Sequence, residues 1–364
     1  MLSLEEAISF LHHHKQTSLI SHLQSLAPET RVLLLRQLSC LNGCFPEVFH
    51  PQKISLPPYE PFTSPCQTQP QLYEIGLQAL QSHQALLILL AGGDGSRLGF
   101  ARPKGCFPIL QGKSLFELHF QHIHDLQKKI NRQHPVMLLT SPLNTKATLT
   151  FLKEHNYFDL PNTRYIEQPL FPVLDENYQW LLKSPAELVL APNGNGGLFQ
   201  ALSSHKTLLQ EVSFIFVLNI DNALAKDFDP ELLGGLIHHQ ADMALRCIPL
   251  QKSSHKLGVL AQQKNHLSIL DYNDIENIQD FSYGNINILC YRAEFFQTLL
   301  NKSWPLHWVK RKTADNRFIW KGEYFITDTL IQSQKPLALL SEERQCFAPL
   351  KTLSDVESIQ KLLS

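Results

Sequence analysis

Four glycines fall close together with Arg97 and Lys104 in the stretch AGGDGSRLGFARPK, Ala91 to Lys104. Glycine lets a backbone take positive φ and approach a ligand closely. Successive N–H groups in such a turn form an anion-binding concavity. Arg97 and Lys104 add two full positive charges beside it. The chemistry this suits is the holding of a triphosphate. A second glycine-rich turn, VLAPNGNGGLF, spans Val189–Phe199. A third stretch, Asn219-Ile220-Asp221-Asn222, comes after a strongly apolar run. A carboxylate just beyond a buried strand is placed to hold a cation. Equally, Asp221 could shape the turn or cap the next element, and position alone leaves both readings open.

These residues need a scaffold that delivers them to one edge. The apolar run Ala85–Ala91 fits a buried parallel strand. Ser114–Asn131 reads as an amphipathic helix, Val136–Thr140 as a strand and Thr145–His155 as a helix. A further strand ends near Gln168, in YIEQP, and another spans Ser213–Leu218. Alternation of strand and helix predicts a parallel sheet with helices on both faces, with ligands beyond the carboxyl ends of its strands. Further strands are expected at Met243–Ile248, Leu257–Leu260, His266–Leu270 and Phe281–Tyr291. The first 50 residues read as helical, with capping-box spacing between Ser3 and Glu6 and His12–His14 in a solvated stretch. Pro51–Pro70 reads as an extended surface connector, and Gln71–Gln81 as a helix feeding the first strand. Three tryptophans, Trp304, Trp308 and Trp320, lie near Lys310, Arg311, Lys312 and Lys321. They read as a local packing cluster with one ligand-facing lysine.

Bulk properties narrow the function classes. The 364 residues are 43% hydrophobic and 18% charged, with a formal net charge of -1. No broad basic field exists to hold a long nucleic acid, so any nucleotide needs a local site. The seven cysteines are scattered and form no CxxC pair, which argues against a disulfide framework or a zinc site. No apolar run approaches the ~18 residues of a membrane span, and the start, MLSLEEAISF, lacks a signal-peptide pattern. The expectation is a cytoplasmic protein with no nucleic-acid or membrane partner.

Motif spacing discriminates among phosphate binders. A P-loop needs lysine directly after its last glycine, but Phe100 stands after Gly99. A dinucleotide site needs GxGxxG opening a continuous helix. Here Gly93, Gly95 and Gly99 give a stretched spacing, and Pro103 and Pro108 would interrupt the helix. The Pro103-Lys104 ending instead matches the sugar nucleotidyltransferase signature.

Beyond that loop, the chain resembles the eukaryotic-type UDP-sugar pyrophosphorylases, most of all the UDP-N-acetylglucosamine pyrophosphorylase branch. The segments that carry the resemblance are, in order, LAGGDGSRLG, APNGNGGLF, IDN at Ile220–Asn222 and LGVL at Leu257–Leu260. LDYNDI at Leu270–Ile275, GNI at Gly284–Ile286 and FAPLK at Phe347–Lys351 complete the series. The resemblance implies a Rossmann-like α/β fold, with a mixed, mostly parallel sheet and helices on both faces. Expected divisions are a helical N-terminal segment and connector (1–75), a catalytic domain (76–345) and a short C-terminal tail (346–364).

The resemblance further implies that UTP and a sugar 1-phosphate are the substrates and Mg²⁺ the cofactor. Ala91, Gly92, Gly93, Gln168, Gly194 and Asn195 would bind the nucleotide, Gln168 reading the uracil edge. Arg97, Lys104 and Lys321 would hold phosphates, and Asp221 would lie near the metal. Gly258, Asp271 and Asn285 would bind the sugar, most expectedly N-acetylglucosamine 1-phosphate, with glucose 1-phosphate or a broader range as the alternative. A non-catalytic nucleotide-binding regulator is the rival of another class. Asp94 stands where the branch usually has glutamine, and is expected either to face Mg²⁺ or to turn away from the phosphates.

Overall fold

The computed structural model describes residues 1–41, 59–93, 95–250, 256–263, 266–272, 274–313 and 315–364, and the backbone alone of Ser96. The expectations for Asp94, for Asn273 within LDYNDI and for the first part of the connector lie outside the described residues. The chain forms two compact units, each assembled from separate stretches of sequence. The smaller holds residues 1–41, Gln168–Gly197 and Trp304–Ile326; the larger holds the described residues of 59–167, Leu198–Ser303 and Thr327–Ser364.

Ten strands make the sheet of the larger unit: β1 (Glu60–Pro61), β2 (Ala85–Leu90), β3 (Val136–Thr140), β4 (Arg164–Glu167), β5 (Phe214–Asn219), β6 (Met243–Pro249), β7 (Val259–Gln263), β8 (His266–Leu270), β9 (Tyr283–Arg292) and β10 (Pro336–Leu340). Its centre runs β4-β3-β2-β5, all parallel. Beyond β5 comes β9, antiparallel, then β6 and, parallel to β6, β10. β7 meets β9 at Val259 and Gly284, and is flanked by β8 and β1. The fold is therefore the expected mixed α/β arrangement with a parallel centre. Part of the expected connector is woven into it, because Glu60 and Pro61 pair with β7.

Burial explains why β2 reads ALLILL. All six of its residues are buried, as a strand covered on both faces requires. Leu87 and Leu89 join a core with Leu72 and Leu80 from the helix Pro70–Ser82 and with Phe116 and Phe120 from the helix Leu115–Ile130. The other face is covered too. Phe296, from the helix Ala293–Leu299, meets Tyr291 of β9 and Phe199, each at 5.2 Å between ring centroids.

A buried ion pair ties β6 to this framework. Arg246 is 1% exposed and donates Nε to Asp229 Oδ2 at 2.6 Å and Nη2 to Asp229 Oδ1 at 2.8 Å. It also reaches Glu231 at 2.8 Å and the Ser341 hydroxyl at 2.6 Å. Asp229 meanwhile caps the helix Pro230–His238, accepting from the N–H groups of Glu231 and Leu232. Four hydrogen bonds thus satisfy one guanidinium, the condition under which a buried charge is tolerated.

The smaller unit packs three helices, Leu4–His13, Thr17–Ser25 and Pro28–Leu41, with short hairpins. The expected capping box is present: Ser3 Oγ accepts from Glu6 N–H at 3.2 Å, and Glu6 accepts from Ser3 N–H at 2.7 Å. One expectation needs correction. His12 and His13 are exposed, but His14 is buried, its ring beside Trp180 and Phe10. An apolar core from the helices and from Phe171, Leu174 and Trp180 closes over it. No helix among the described residues is long and apolar enough to cross a membrane.

Candidate active site

In the larger unit, two neighbouring parallel strands release their chains at the same edge. β2 ends at Leu90 beside Asn219 of β5, so the glycine loop and the Ile220-Asp221-Asn222 turn start side by side. The loop's first carbonyls are already engaged. Asn144, 5% exposed, donates Nδ2 to the carbonyls of Ala91 at 2.8 Å and Gly93 at 3.3 Å, and the Ser141 hydroxyl reaches the Gly92 carbonyl at 3.5 Å. Arg97 lies exposed on the next turn, Ser96–Leu98. Sequence reasoning does not single out Asn144. Its signal is its place directly before the helix Thr145–Glu154, where it orders a turn by accepting from Ser141 N–H at 2.9 Å.

Pro103 then starts a short turn, Lys104–Cys106, that carries Lys104 inward. Gly105 is needed there, because a Cβ would lie 2.4 Å from the Phe116 ring. Lys104 is 7% exposed, and its Nζ lies 3.0 Å from Asp221 Oδ2. These two expected site residues are thus brought together. A third, unexpected one joins them: Lys351 places its Nζ 2.8 Å from the same oxygen. Its segment, FAPLK, contributes to the family resemblance, but sequence reasoning assigns that lysine no role.

Hydrogen bonds to the Asp221 turn explain how Lys351 arrives. Asn222 donates to the Cys346 carbonyl at 2.8 Å and accepts from Ala348 N–H at 2.9 Å. Ala223 N–H donates to the Ala348 carbonyl at 3.1 Å, and Leu350 N–H to the Asp221 carbonyl at 2.8 Å. The Asp221 turn is held from below by His119, 1% exposed. Its Nε2 donates to the Ile220 carbonyl at 3.1 Å, and its Nδ1 to Asp227 at 3.0 Å. Burial opposes a charge on His119, but Asp227 outweighs it and holds the imidazole above its ordinary pKa. Both ring nitrogens can therefore donate at once.

Charge decides the state of Asp221. Burial alone would raise its pKa, yet Lys351 and Lys104 pull it down to about 2. The carboxylate is ionised, and the three groups together carry one net positive charge. Asp221 Oδ2 takes both lysines, while Oδ1 is buried with no hydrogen-bond partner among the described residues. A carboxylate oxygen left over beside a phosphate cradle suits Mg²⁺, which binds through one or two carboxylates plus substrate phosphates.

The sugar-binding candidates lie near the same end of the sheet, Asn285 within β9 itself. Leu218 of β5 lies opposite Ile288 of β9, so the chain past Asn219 heads toward Asn285. Asn285 is 5% exposed, donates its backbone N–H to the Gly258 carbonyl at 2.9 Å and exchanges hydrogen bonds with Asn287 at 2.8 and 3.0 Å. Val259 pairs with Leu270, which sets Gly258 next to Asp271 across the ladder.

The remaining candidates belong to the smaller unit. Gln168 is 5% exposed, and its Oε1 has no partner among the described residues. Gly194 sits at φ +86, where a Cβ would lie 2.5 Å from the Tyr324 carbonyl oxygen. Gly196 N–H donates to that oxygen at 2.8 Å, and Asn195 Oδ1 accepts from Ile326 N–H at 2.9 Å. The second glycine turn is thereby fastened to the 324–326 backbone. Lys321 lies on the strand Phe318–Glu323, opposite Val309 of the strand His307–Lys312. Its neighbour Trp320 packs into the apolar core, and Lys310 lies over Phe318 and Trp320 at 4.2 and 5.5 Å.

Known proteins share this architecture. A family model described as UTP--glucose-1-phosphate uridylyltransferase matches residues 52–363. The UDP-N-acetylglucosamine pyrophosphorylase of Saccharomyces cerevisiae is 30% identical over 238 residues, covering 61% of this chain and 50% of that protein. Arabidopsis thaliana UDP-N-acetylglucosamine diphosphorylase 2 is 27% identical, covering 94% of this chain and 78% of that protein. The chain thus spans half the length of the yeast relative. Among solved structures, a uridine diphosphate N-acetylglucosamine pyrophosphorylase from Trypanosoma brucei superposes with a TM-score of 0.77 at 22% identity, covering 99% of this chain and 84% of that one. A UDP-glucose phosphorylase from the same organism gives 0.72 at 17% identity, covering 97% and 78%. These structures share the fold.

Proposed function

Because the chain belongs to the UTP--glucose-1-phosphate uridylyltransferase family, we propose that it is a uridylyltransferase making a UDP-sugar and pyrophosphate from UTP and a sugar 1-phosphate. The observation that carries this reading is the convergence of Lys104 and Lys351 on Asp221 at the mouth of the glycine loop. A phosphate oxygen of the sugar 1-phosphate attacks the α-phosphorus of UTP, and the bond to the departing pyrophosphate breaks. The nucleophile is already an anion, so no general base is required. The obstacle is bringing two polyanions together: unit charges 4 Å apart repel by ~4 kcal/mol at an effective dielectric of 20. Lys104 and Lys351 offset that repulsion, and Asp221 holds both ammonium groups in place before substrate arrives. Catalysis is then positioning plus electrostatics.

Asp221 Oδ1 would hold Mg²⁺, which when bound would supply positive charge to offset that of the phosphates. Arg97 and Lys321 remain proposed phosphate ligands. Gly92 and Gly93 are proposed to meet the nucleotide through N–H groups, since their carbonyls are taken; Ala91, whose N–H donates to the Leu139 carbonyl at 2.8 Å, would meet it through packing. The unpartnered Oε1 of Gln168 supports its reading of the uracil N–H, and Gly194 and Asn195 retain their nucleotide role.

For the sugar, N-acetylglucosamine 1-phosphate is the first choice, on the names that the curated relatives carry. Glucose 1-phosphate is the second, on the description of the family model. Gly258, Asp271 and Asn285 are the proposed contacts. A pyrophosphate-release assay with UTP, Mg²⁺ and a panel of sugar 1-phosphates tests both levels. Fastest release with N-acetylglucosamine 1-phosphate is expected. No release with any sugar 1-phosphate of the panel, while UTP still binds, would replace the enzyme by the regulator.

A further inference from the structure

Resting on the uridylyltransferase reading, we infer that the helix Asp355–Leu363 belongs to the catalytic apparatus, with Asp355 as a positioning residue for Lys351. One oxygen of Asp355, Oδ2, accepts three hydrogen bonds: from Lys351 N–H at 2.8 Å, Thr352 N–H at 2.7 Å and the Thr352 hydroxyl at 3.1 Å. The backbone that launches the Lys351 side chain is fixed by a charge-assisted contact. The preceding residue is fixed as well, since Leu350 N–H donates to the Asp221 carbonyl. Lys351 is therefore clamped on both sides of its Cα.

The same helix also grips the strand just past Lys104. Gln360 Nε2 donates to the Ile109 carbonyl at 2.8 Å. Ile359, 2% exposed, packs with Leu98, Ile109, Leu115, Ala348 and Leu350. One short helix so holds both lysine-bearing segments, and Lys351 depends on it most. The Lys351 side chain is 47% exposed, against 9% for Lys104. Surface lysine chains have many rotamers, and a fixed starting backbone limits how many are open.

Two variants separate positioning from folding. Asp355→Ala removes the acceptor. Asp355→Asn keeps an oxygen for the Lys351 and Thr352 N–H groups and should act as the rescue. Expected for Asp355→Ala, which removes all three of these hydrogen bonds, is a fall in kcat of about tenfold, with KM for UTP unchanged. Asp355→Asn should restore most of the rate. In hydrogen exchange on the full chain, the Lys351 and Thr352 amides should be protected in the wild type and lose protection in Asp355→Ala alone. Unaltered protection in Asp355→Ala would overturn the clamp, whether or not the protein turns over UTP. Wild-type kcat in Asp355→Ala, or equal losses in both variants with a lower melting temperature, would overturn the positioning role. A wild-type protein that releases no pyrophosphate would count against the functional reading, while the exchange result would still decide the clamp.

Discussion

Lys104 and Lys351 place their ammonium groups 3.0 and 2.8 Å from a single carboxylate oxygen of Asp221. Two like charges tolerate such proximity only because an anion lies between them. A bound triphosphate would add anionic partners without requiring either lysine to move far. On the proposed function, the pair would be poised for substrate before substrate binds.

Removing either lysine should therefore damage turnover far more than folding. Lys351→Ala and Lys104→Ala are each expected to lower kcat by ~10²–10³-fold, the usual effect of deleting one preorganised electrostatic contact. The double variant should lose less than the product of the single losses, because the two act on one charge. Pyrophosphate release by the four proteins is the measurement.

Asp221 should leave a signature in acid. Its pKa is held at about 2 in the folded chain against an ordinary 3.8. A depressed carboxylate stabilises fully above the unfolded value, and that stabilisation is lost as pH falls through the folded value. The window is about pH 4 down to about pH 2, with roughly 2 kcal/mol at stake. Urea midpoints measured across that range should fall in the wild type and flatten in Asp221→Asn. The same variant should need more Mg²⁺ for half-maximal rate, as the proposed metal contact becomes a neutral amide.

Arg246 offers a test of the framework separate from the chemistry. Arg246→Met strands Asp229 and Glu231 without their counter-charge and should cost ~3–5 kcal/mol. Chemical denaturation should show the loss. At temperatures where the variant stays folded, KM for UTP should be unchanged.

Gly194→Ala forces a side chain into a left-handed backbone and against the Tyr324 carbonyl. The φ strain alone costs roughly 1–2 kcal/mol, and relief must come from moving the turn. The expected result is a raised KM for UTP with a smaller change in kcat. Equal kinetics in this variant would remove the second glycine turn from nucleotide binding.

Local signals make much of this legible in the sequence. The apolar run at β2, the capping box at Ser3 and Glu6, and the helix Leu115–Ile130 arise from periodicity and capping, which act over a few residues. Lys104 and Asp221 are also readable, since each sits just past a strong local feature. Lys351 and Asn144 are not, because their roles depend on partners distant in sequence. Nothing within FAPLK shows that Asn222 will hold it against Asp221. Nothing around Asn144 shows that its amide will take up the carbonyls of Ala91 and Gly93. The burial of His14 escapes a local reading for a similar reason: its neighbour Trp180 comes from a remote stretch.

The lacing of residues 346–351 onto the Asp221 turn has a consequence during synthesis. A growing chain presents Asp221 well before Lys351 emerges, and at roughly 5–20 residues per second the delay is on the order of ten seconds. Until that segment emerges, the group of Lys104, Asp221 and Lys351 cannot be complete. On the uridylyltransferase reading, turnover would have to wait until residues 346–351 dock on the Asp221 turn.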